Sequence, residues 1–574
     1  MQKRWLVKTP LESTVVEEFR SKLKVDRVVG ELLLKRGVDS YEKAEEFFNP
    51  DLGELHDPFL IKGLPEAVSR LSSAIERKEK IMLFGDYDVD GTTAVALMYT
   101  VLRTIADVEF YIPDRYTEGY GLSKAGIDKA IDENCPLMIT LDCGIRSIEL
   151  IAYAKSKGLD VIVCDHHQPG KEIPDCIVLD AKQQGCAYPY KELSGCGVGF
   201  KLLQGLSTTM EGLQDEVMKH LDLVAVSIGA DIVDVTGENR ILAYHGLAQL
   251  NKAPRRSFKT LIEIAQREFP LSLTDVVFTI APRINAAGRL RSGKFAVQLM
   301  ISEDEEEIRT LAFEIDTDNR ERREIDQLIT AEAIELLNDD VSFERKKSTV
   351  VFKNDWHKGV VGIVASRLVE TYFKPTIVLT ESNGFATGSA RTVNDFDIHH
   401  ALTRCSHLLE QFGGHTHAAG MTLKLENVDL FMTAFETVVQ ELLSIEDESP
   451  EEIVEMEIQF DQIFTTGEDR MKVPRLKRIL NRFEPHGPGN MKPVFLSTNV
   501  FVADCRILKE KHLKLSLIQP TNDVRMEAIG FNLIDKYAEI GSGIPFEIIY
   551  TIETNKWMGK ETVQLNIKDM RTIL

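Results

Sequence analysis

A chain of 574 residues is too long for one hydrophobic core, and its length predicts three or so domains. Apolar residues at 43% and charged residues at 28% are ordinary for a globular protein, and no apolar run reaches the length that crosses a bilayer. The net charge of −22 excludes a general nucleic-acid coat, because phosphate backbones need a positive surface; any DNA binding must use a local basic groove or bound cations. The start, MQKRWLVKTP, is not followed by an apolar signal region. The eight cysteines are scattered with no C-x-x-C pair, and Cys143, Cys164 and Cys505 sit in apolar runs as small hydrophobes. The expectation is a reduced cytoplasmic protein with no structural zinc and no membrane partner.

In chain order, residues 65–78 predict one amphipathic helix. From 80 to 231 short β-branched runs alternate with helical stretches. The runs are IMLF at 81–84, VEFYI at 108–112, LMITL at 137–141, VIVC at 161–164 and CIVL at 176–179, with helices predicted over 92–105 and 147–157. That alternation predicts βαβ units around a largely parallel sheet. A further apolar run, LDLVAVSIGA at 221–230, is grouped with the strands.

Residues 303–340 are strongly charged, with Ile308, Leu311, Phe313, Ile315, Ile325 and Leu328 at roughly helical spacing. They predict one or two long helices that bridge two domains and set their separation. A second α/β segment follows, with strands at 348–352 and 375–379 and helices at 360–371 and 428–444. The acidic stretch 446–452, broken by Pro450, is a predicted linker. Short strand-like runs at 500–507, 512–517, 525–531, 546–552 and 562–567 suit a small β-barrel of the OB type. The expected fold is α/β with four parts: 1–302, 303–345, 346–448 and 449–574.

Acidic clusters follow the strands. IMLF leads into Gly85-Asp86-Tyr87-Asp88-Val89-Asp90-Gly91, LMITL into Asp142-Cys143-Gly144, VIVC into Asp165-His166-His167, and LDLVAVSIGA into Asp231. In a parallel sheet these positions share one carboxyl edge, where such folds bind ligands. So many carboxylates would repel one another unless a divalent cation lay among them. Aspartates with imidazoles suit Mn²⁺ or Mg²⁺, and a pair of ions suits phosphodiester hydrolysis by a metal-bound water. The D-x-D-x-D-G run is not an EF-hand, since Leu97 stands where the closing glutamate would be. Taken singly, Asp142 and Asp231 read as helix caps and His-His as turn chemistry; four clusters together favour a metal site.

GDYDVDG, LDCG, DHH and the later Asp231 resemble, in order, the motifs of the DHH phosphoesterase superfamily. Within it, APRINAAGR at 281–289, WHKGVVGIVASR at 356–367, GGHTHAAG at 413–420 and PHGPGNMKPVF at 485–495 resemble the RecJ family, and the similarity runs from the Leu34/Arg36/Gly37 region to the barrel. Phe84 stands where many DHH phosphoesterases carry a ligand histidine, which implies that one ion relies more on Asp88 and water; His486 and Met491 replace a Phe and a Pro.

The resemblance implies a parallel-sheet DHH domain, a long connecting helix, a smaller α/β DHH-associated domain and an OB-like barrel. It implies a metal-dependent 5′→3′ exonuclease specific for single-stranded DNA, acting in DNA repair and recombination. Its implied ligands are Asp88, Asp90, Asp142, His166 and Asp231 for Mn²⁺ or Mg²⁺, with two ions bridged by Asp142. His167 would contact the scissile phosphate or orient the ligands, and Asp86 would support them or be structural. His415 would hold a phosphate across the cleft, or else be a buried histidine in a tight helix-start turn. Ser389 and Arg391 would grip the 5′-terminal phosphate with Arg115, and Arg283 and Arg289 would bind strand phosphates. Arg506, Lys509, Lys511, His512 and Lys514 would give the barrel a basic groove. The implied partners of a monomer are single-stranded DNA with a 5′ end, a single-strand binding protein and a RecQ-type helicase. Competing readings are a small-substrate DHH phosphodiesterase of the oligoribonuclease or cyclic-dinucleotide type, a pyrophosphatase, and a non-catalytic DNA-binding scaffold.

Overall fold

The structure is a computed structural model that describes residues 3–444, 449–465, 467–469, 472–538, 540, 543–557 and 559–572. Strand β1 (Arg4–Val7) opens the chain. Strands β2 (Ile81–Gly85), β3 (Val108–Tyr111), β4 (Leu137–Leu141), β5 (Asp160–Cys164) and β6 (Ile177–Leu179) form a wholly parallel sheet in the order β3-β2-β4-β5-β6. Helices cover both faces, so β2 and β4 are buried throughout and read as continuous apolar runs. Alternation sends Ile81 and Leu83 into one core and Met82 and Phe84 into the other. The chain turns both ways from β2, so the crevice past β2 and β4 is a topological switch point.

LDLVAVSIGA is not a strand. It forms the helix Leu221–Asp231, buried on nearly every side. A helix apolar all round shows no 3.6-residue period, so its sequence is indistinguishable from a buried strand.

The charged segment is one helix, Glu305–Asp339, of 35 residues and about 52 Å. Asp304 caps it by accepting from the Glu307 amide at 2.8 Å. Ile308, Leu311, Ala312 and Ile315 enter the first core, whereas Ile329, Ala333 and Leu337 enter the second domain's core. Phe313 and Leu328, counted in the expected stripe, are exposed at 60% and 62% and lie on the outer face. The second domain carries β7 (Thr349–Phe352), β8 (Thr376–Ser382), β9 (Phe385–Arg391), β10 (Gln411–His415) and β11 (Ala418–Lys424) in the order β10-β11-β9-β8-β7. Only β7 and β8 are parallel.

Strand β12 (Glu451–Val454) pairs in parallel with β1, so the expected linker is in part a strand; its residues 446–448 lie outside the described residues. Lys3 meets Glu452 at 2.6 Å, Lys8 meets Glu455 at 3.0 Å, and Arg4 pairs with Glu451. Then come β13 (Met456–Glu457), β14 (Phe495–Leu508), β15 (His512–Ile518), β16 (Arg525–Gly530), β17 (Phe546–Trp557) and β18 (Lys560–Thr572). Pairing of β14 with β17 closes strands β14 to β18 into the expected OB-like barrel. Phe19, Val29, Leu32 and Leu33 of the N-terminal helices share the barrel's core with Phe483, Phe495 and Leu515. The helices Ser13–Leu23 and Arg27–Leu34 therefore pack with the barrel, whereas the helix Leu64–Glu76 packs on the parallel sheet within the expected unit 1–302.

Candidate active site

The loop after β2 is built around small residues. A Cβ on Gly91 would lie 2.5 Å from the Asp86 carbonyl oxygen, so only glycine lets the loop fold back. Asp88 caps the helix Val89–Leu102, accepting from the Gly91 amide at 3.0 Å. Asp90 accepts from the Gly195 amide at 2.6 Å, the Cys196 amide at 2.8 Å and Ser227 Oγ at 2.6 Å. Those amides begin the helix Gly195–Ser207, whose positive end suits a carboxylate. Asp142 sits in left-handed backbone, φ 62°, and is 1% exposed.

Asp165 organises the DHH turn. It accepts from the amides of Ile145 at 2.9 Å, His166 at 2.8 Å and His167 at 3.1 Å, and meets His167 Nδ1 at 2.7 Å. Against the pull of burial, the His167 contact and the Ile145 and His167 amides hold Asp165 below the usual carboxylate range. Burial opposes the charge on His167 too, yet Asp165, Asp231 and Asp88 push it up to about 9. Tyr120 Oη lies 2.8 Å from His167 Nε2.

The side chains then converge. His166 Nε2 lies 3.1 Å from Asp142, 3.5 Å from Asp231 and 3.7 Å from Asp90. Two groups can hold a cation, Asp90-His166-Asp231 and Asp86-Asp88-Asp142, the donor atoms of each lying within 4.8 Å of one another; Asp142 also groups with His166 and His167. Burial and neighbouring carboxylates push Asp86, Asp88 and Asp142 up, and Asp231 up to about 9. Asp86 Oδ2, Asp142 Oδ1 and both His166 ring nitrogens are buried without a hydrogen-bond partner. Buried, mutually repelling oxygens and unpartnered imidazole nitrogens fit hard divalent cations.

The Asp86 carboxylate joins Asp88 and Asp142 in one group whose atoms could hold a cation. The Phe84 ring packs in the apolar core on one face of the sheet, 5.6 Å from Tyr111 between centroids. Three supports escaped the sequence reading. They are Asp165, which the DHH motif contains, Tyr120, which lies between Gly119 and Gly121, and Ser227, which gives no signal inside its apolar run.

Across the cleft lies a cationic pocket. Arg115 stacks over Tyr87 at 4.8 Å. Arg289 donates to the Gly359 carbonyl at 3.0 Å, and Arg391 donates to Ser389 Oγ at 2.7 Å and the Ala390 carbonyl at 2.8 Å. Burial, then Arg115, Arg322 and Arg391, brings Arg289 down to about 9; burial and Arg115 lower Arg391 as well. Among the described residues, none of Arg115, Arg289 and Arg391 has an ion-pair partner. The WHKGVVG segment closes against them, since a Cβ on Gly362 would lie 2.9 Å from Arg391 Nη2.

Arg283 is not with them. It is 8% exposed and donates to Asp316 at 2.9 Å and the Thr279 carbonyl at 2.7 Å, tying the helix Ala281–Leu290 to the connecting helix. Arg283→Ala is expected to cost about 2 kcal/mol in denaturant unfolding, as for a charge-assisted bond, and to leave kcat/KM on DNA unchanged. A tenfold loss of kcat/KM at unchanged stability would return Arg283 to the phosphate-binding set.

His415 ends β10 in an exposed hairpin, not in a helix-start turn, and its Nδ1 accepts from the His417 amide at 3.2 Å. Partial burial, with Arg391 and His167 among its neighbours, lowers its pKa. In the barrel, Lys509 and Glu510 form the β14–β15 turn. Arg506 lies 3.6 Å from Asp504 and Lys514 lies 3.9 Å from Glu527, which offsets part of that basic patch. His512 packs edge-on to the exposed ring of Phe531, 5.3 Å between centroids.

Family models match along the chain: DHH family, N-terminal domain over residues 80–228, DHHA1 domain over 345–441 and RecJ OB domain over 471–569. The single-stranded-DNA-specific exonuclease RecJ of Bacillus subtilis is 37% identical over 573 residues, 99% of this chain and 70% of that protein. The crystal structure of RecJ with Mn²⁺ from Thermus thermophilus matches with a TM-score of 0.83 and 27% identity, covering 100% of this chain and 80% of that one. The Mg²⁺ complex from the same source matches with a TM-score of 0.77 and 26% identity, covering 100% and 79%.

Proposed function

The chain belongs to the RecJ family of single-stranded-DNA-specific exonucleases, and from that premise we propose how its residues divide the work. It hydrolyses phosphodiester bonds of single-stranded DNA with Mn²⁺ or Mg²⁺ as cofactor. The direction is 5′→3′, in DNA repair and recombination, by a cytoplasmic monomer. The observation that carries the reading is the pairing of two features: a buried Asp/His cluster at the β2–β4 crevice and a group of arginines, Arg115, Arg289 and Arg391, that make no ion pair among the described residues. A small-substrate phosphodiesterase would have no use for the barrel.

In this reading Asp90, His166 and Asp231 would hold one cation and Asp86, Asp88 and Asp142 would hold the other. Two such cations supply a water of lowered pKa and neutralise charge on the phosphate. The protein's own groups do the rest. Asp165 fixes the His167 ring through Nδ1, and the Nε2–H of charged His167 donates to the Tyr120 oxygen, so the Tyr120 hydroxyl proton is the one presented at the rim of the cluster. Arg391, Ser389, Arg115 and Arg289 take the terminal phosphate, and His415 contacts a phosphate across the cleft. An end clamp at a fixed distance from the cluster selects the bond that is cut and makes the enzyme an exonuclease. Local field, not total charge, decides DNA binding, so the acidic body is no obstacle. A single-strand binding protein and a RecQ-type helicase are the proposed partners, since such an enzyme depends on others to expose and shield its substrate.

The test is a single strand of tens of nucleotides, 5′-phosphorylated and labelled at either end, with Mn²⁺ or Mg²⁺ titrated and products resolved by length. Mononucleotides released from the 5′ end of single strands, with duplex left intact, are the expected result. Cleavage of dinucleotides alone would overturn the reading.

A further inference from the structure

The PHGPGN turn at 485–490 has no role in the chemistry described so far, yet it reaches the loop that carries Asp231. Asp231 is the last residue of its helix, which stops because Ile232 is left-handed, φ 59°. Residues 232–236 then lead to the helix Gly237–Lys252. Their own domain holds them from one side: Tyr190 Oη and Asn239 Nδ2 both donate to the Asp234 carbonyl at 2.9 Å. The barrel-linked turn holds them from the other. The Val235 amide donates to the Pro488 carbonyl at 2.7 Å, and Val235 is only 1% exposed, so losing that acceptor leaves a buried donor orphaned.

The glycines of the turn exist for this contact. A Cβ on Gly487 would lie 2.3 Å from Val235 Cγ2, and one on Gly489, φ 71°, would lie 2.6 Å from Thr236 Cγ2. The turn is itself rigid. Asn490 Nδ2 donates to the carbonyls of Phe483 at 2.8 Å and Pro485 at 2.9 Å, Arg36 Nε donates to Asn490 Oδ1 at 3.1 Å, and Arg240 donates to the Phe483 carbonyl at 2.8 Å.

We propose that residues 487–490 are a positioning element for Asp231, so that docking of the barrel-linked turn and divalent-cation binding at Asp231 are thermodynamically coupled. The proposal rests on the reading of Asp231 as a ligand. Coupling is reciprocal, so a cation held by Asp231 must tighten the docked turn.

The experiment is hydrogen exchange of the full-length protein with and without Mn²⁺, together with calorimetric Mn²⁺ titrations. Mn²⁺ is expected to slow exchange about 5-fold or more in peptides covering 485–491 as well as 231–236. Gly487→Ala is expected to weaken Mn²⁺ binding about tenfold, as loss of a ligand-supporting contact does, and V235A/G487A to restore it by removing the clashing methyl. Exchange at 485–491 that ignores Mn²⁺ overturns the proposal, and this holds even if Gly487→Ala fails to fold, because the measurement uses the parent chain. Parental Mn²⁺ affinity in folded Gly487→Ala overturns it equally. If Asp231→Asn leaves Mn²⁺ binding unchanged, the assignment of Asp231 as a ligand fails and the coupling falls with it, whereas lost binding in Asp231→Asn with unchanged exchange at 485–491 overturns the coupling alone.

Discussion

Asp142→Asn is expected to lower cleavage of single-stranded DNA at least about 10³-fold, on the order of 4 kcal/mol in the barrier, while affinity for the strand changes little. Asp142 belongs to two of the three candidate groups: with Asp86 and Asp88 on one side and with His166 and His167 on the other. Asparagine is the informative replacement. Position 142 has φ 62°, which asparagine tolerates and alanine does not, so the variant removes charge without straining the backbone. A second effect separates this outcome from misfolding. Burial and the charges of Asp90, Asp88, Asp231 and Asp86 all oppose a charged Asp142 in the cation-free protein. Removing that carboxylate therefore raises the melting temperature in EDTA, and the further rise that Mn²⁺ produces in the parent is lost. Cleavage within tenfold of the parent, or a lower melting temperature in EDTA, would sink the assignment of Asp142 as the shared ligand.

What the sequence disclosed about this site follows from where its information lies. Strands of a parallel sheet are apolar on both faces, so β2, β4 and β5 stand out, and the carboxylates after them mark one edge. The helix ending in Asp231 is buried as thoroughly as a strand and carries no period to distinguish it. Strands β9 to β11 were hidden for the opposite reason. FATGSAR, QFGGH and AAGMTLK are rich in glycine and alanine because the backbone there must come close to its neighbours, as Gly388 does to the Val378 carbonyl. Arg283 and Arg289 lie six positions apart in one short helix and are equivalent by composition. Only packing decides that the first serves the connecting helix and the second the cleft.

Arg391→Ala is expected to erase the preference for a 5′-phosphorylated end. The guanidinium lies beside Ser389 with Arg115 and Arg289 near enough to repel it, and none of the three has a carboxylate partner among the described residues. A terminal phosphate carries about two negative charges and accepts a bidentate contact, so its loss here is a loss of charge-assisted hydrogen bonds in a water-poor pocket. On a 5′-phosphorylated strand kcat/KM should fall about 10²-fold, or about 2.7 kcal/mol, chiefly through KM. On a 5′-hydroxyl strand the parent already lacks the contact, and the change should stay within about threefold. Arg391→Lys should recover little, because an ammonium cannot reproduce the planar fork. Because the variant also removes one of three mutually repelling cations, it should melt no lower than the parent. Equal losses on phosphorylated and hydroxyl ends would instead make Arg391 a structural residue and leave the 5′ end without a clamp.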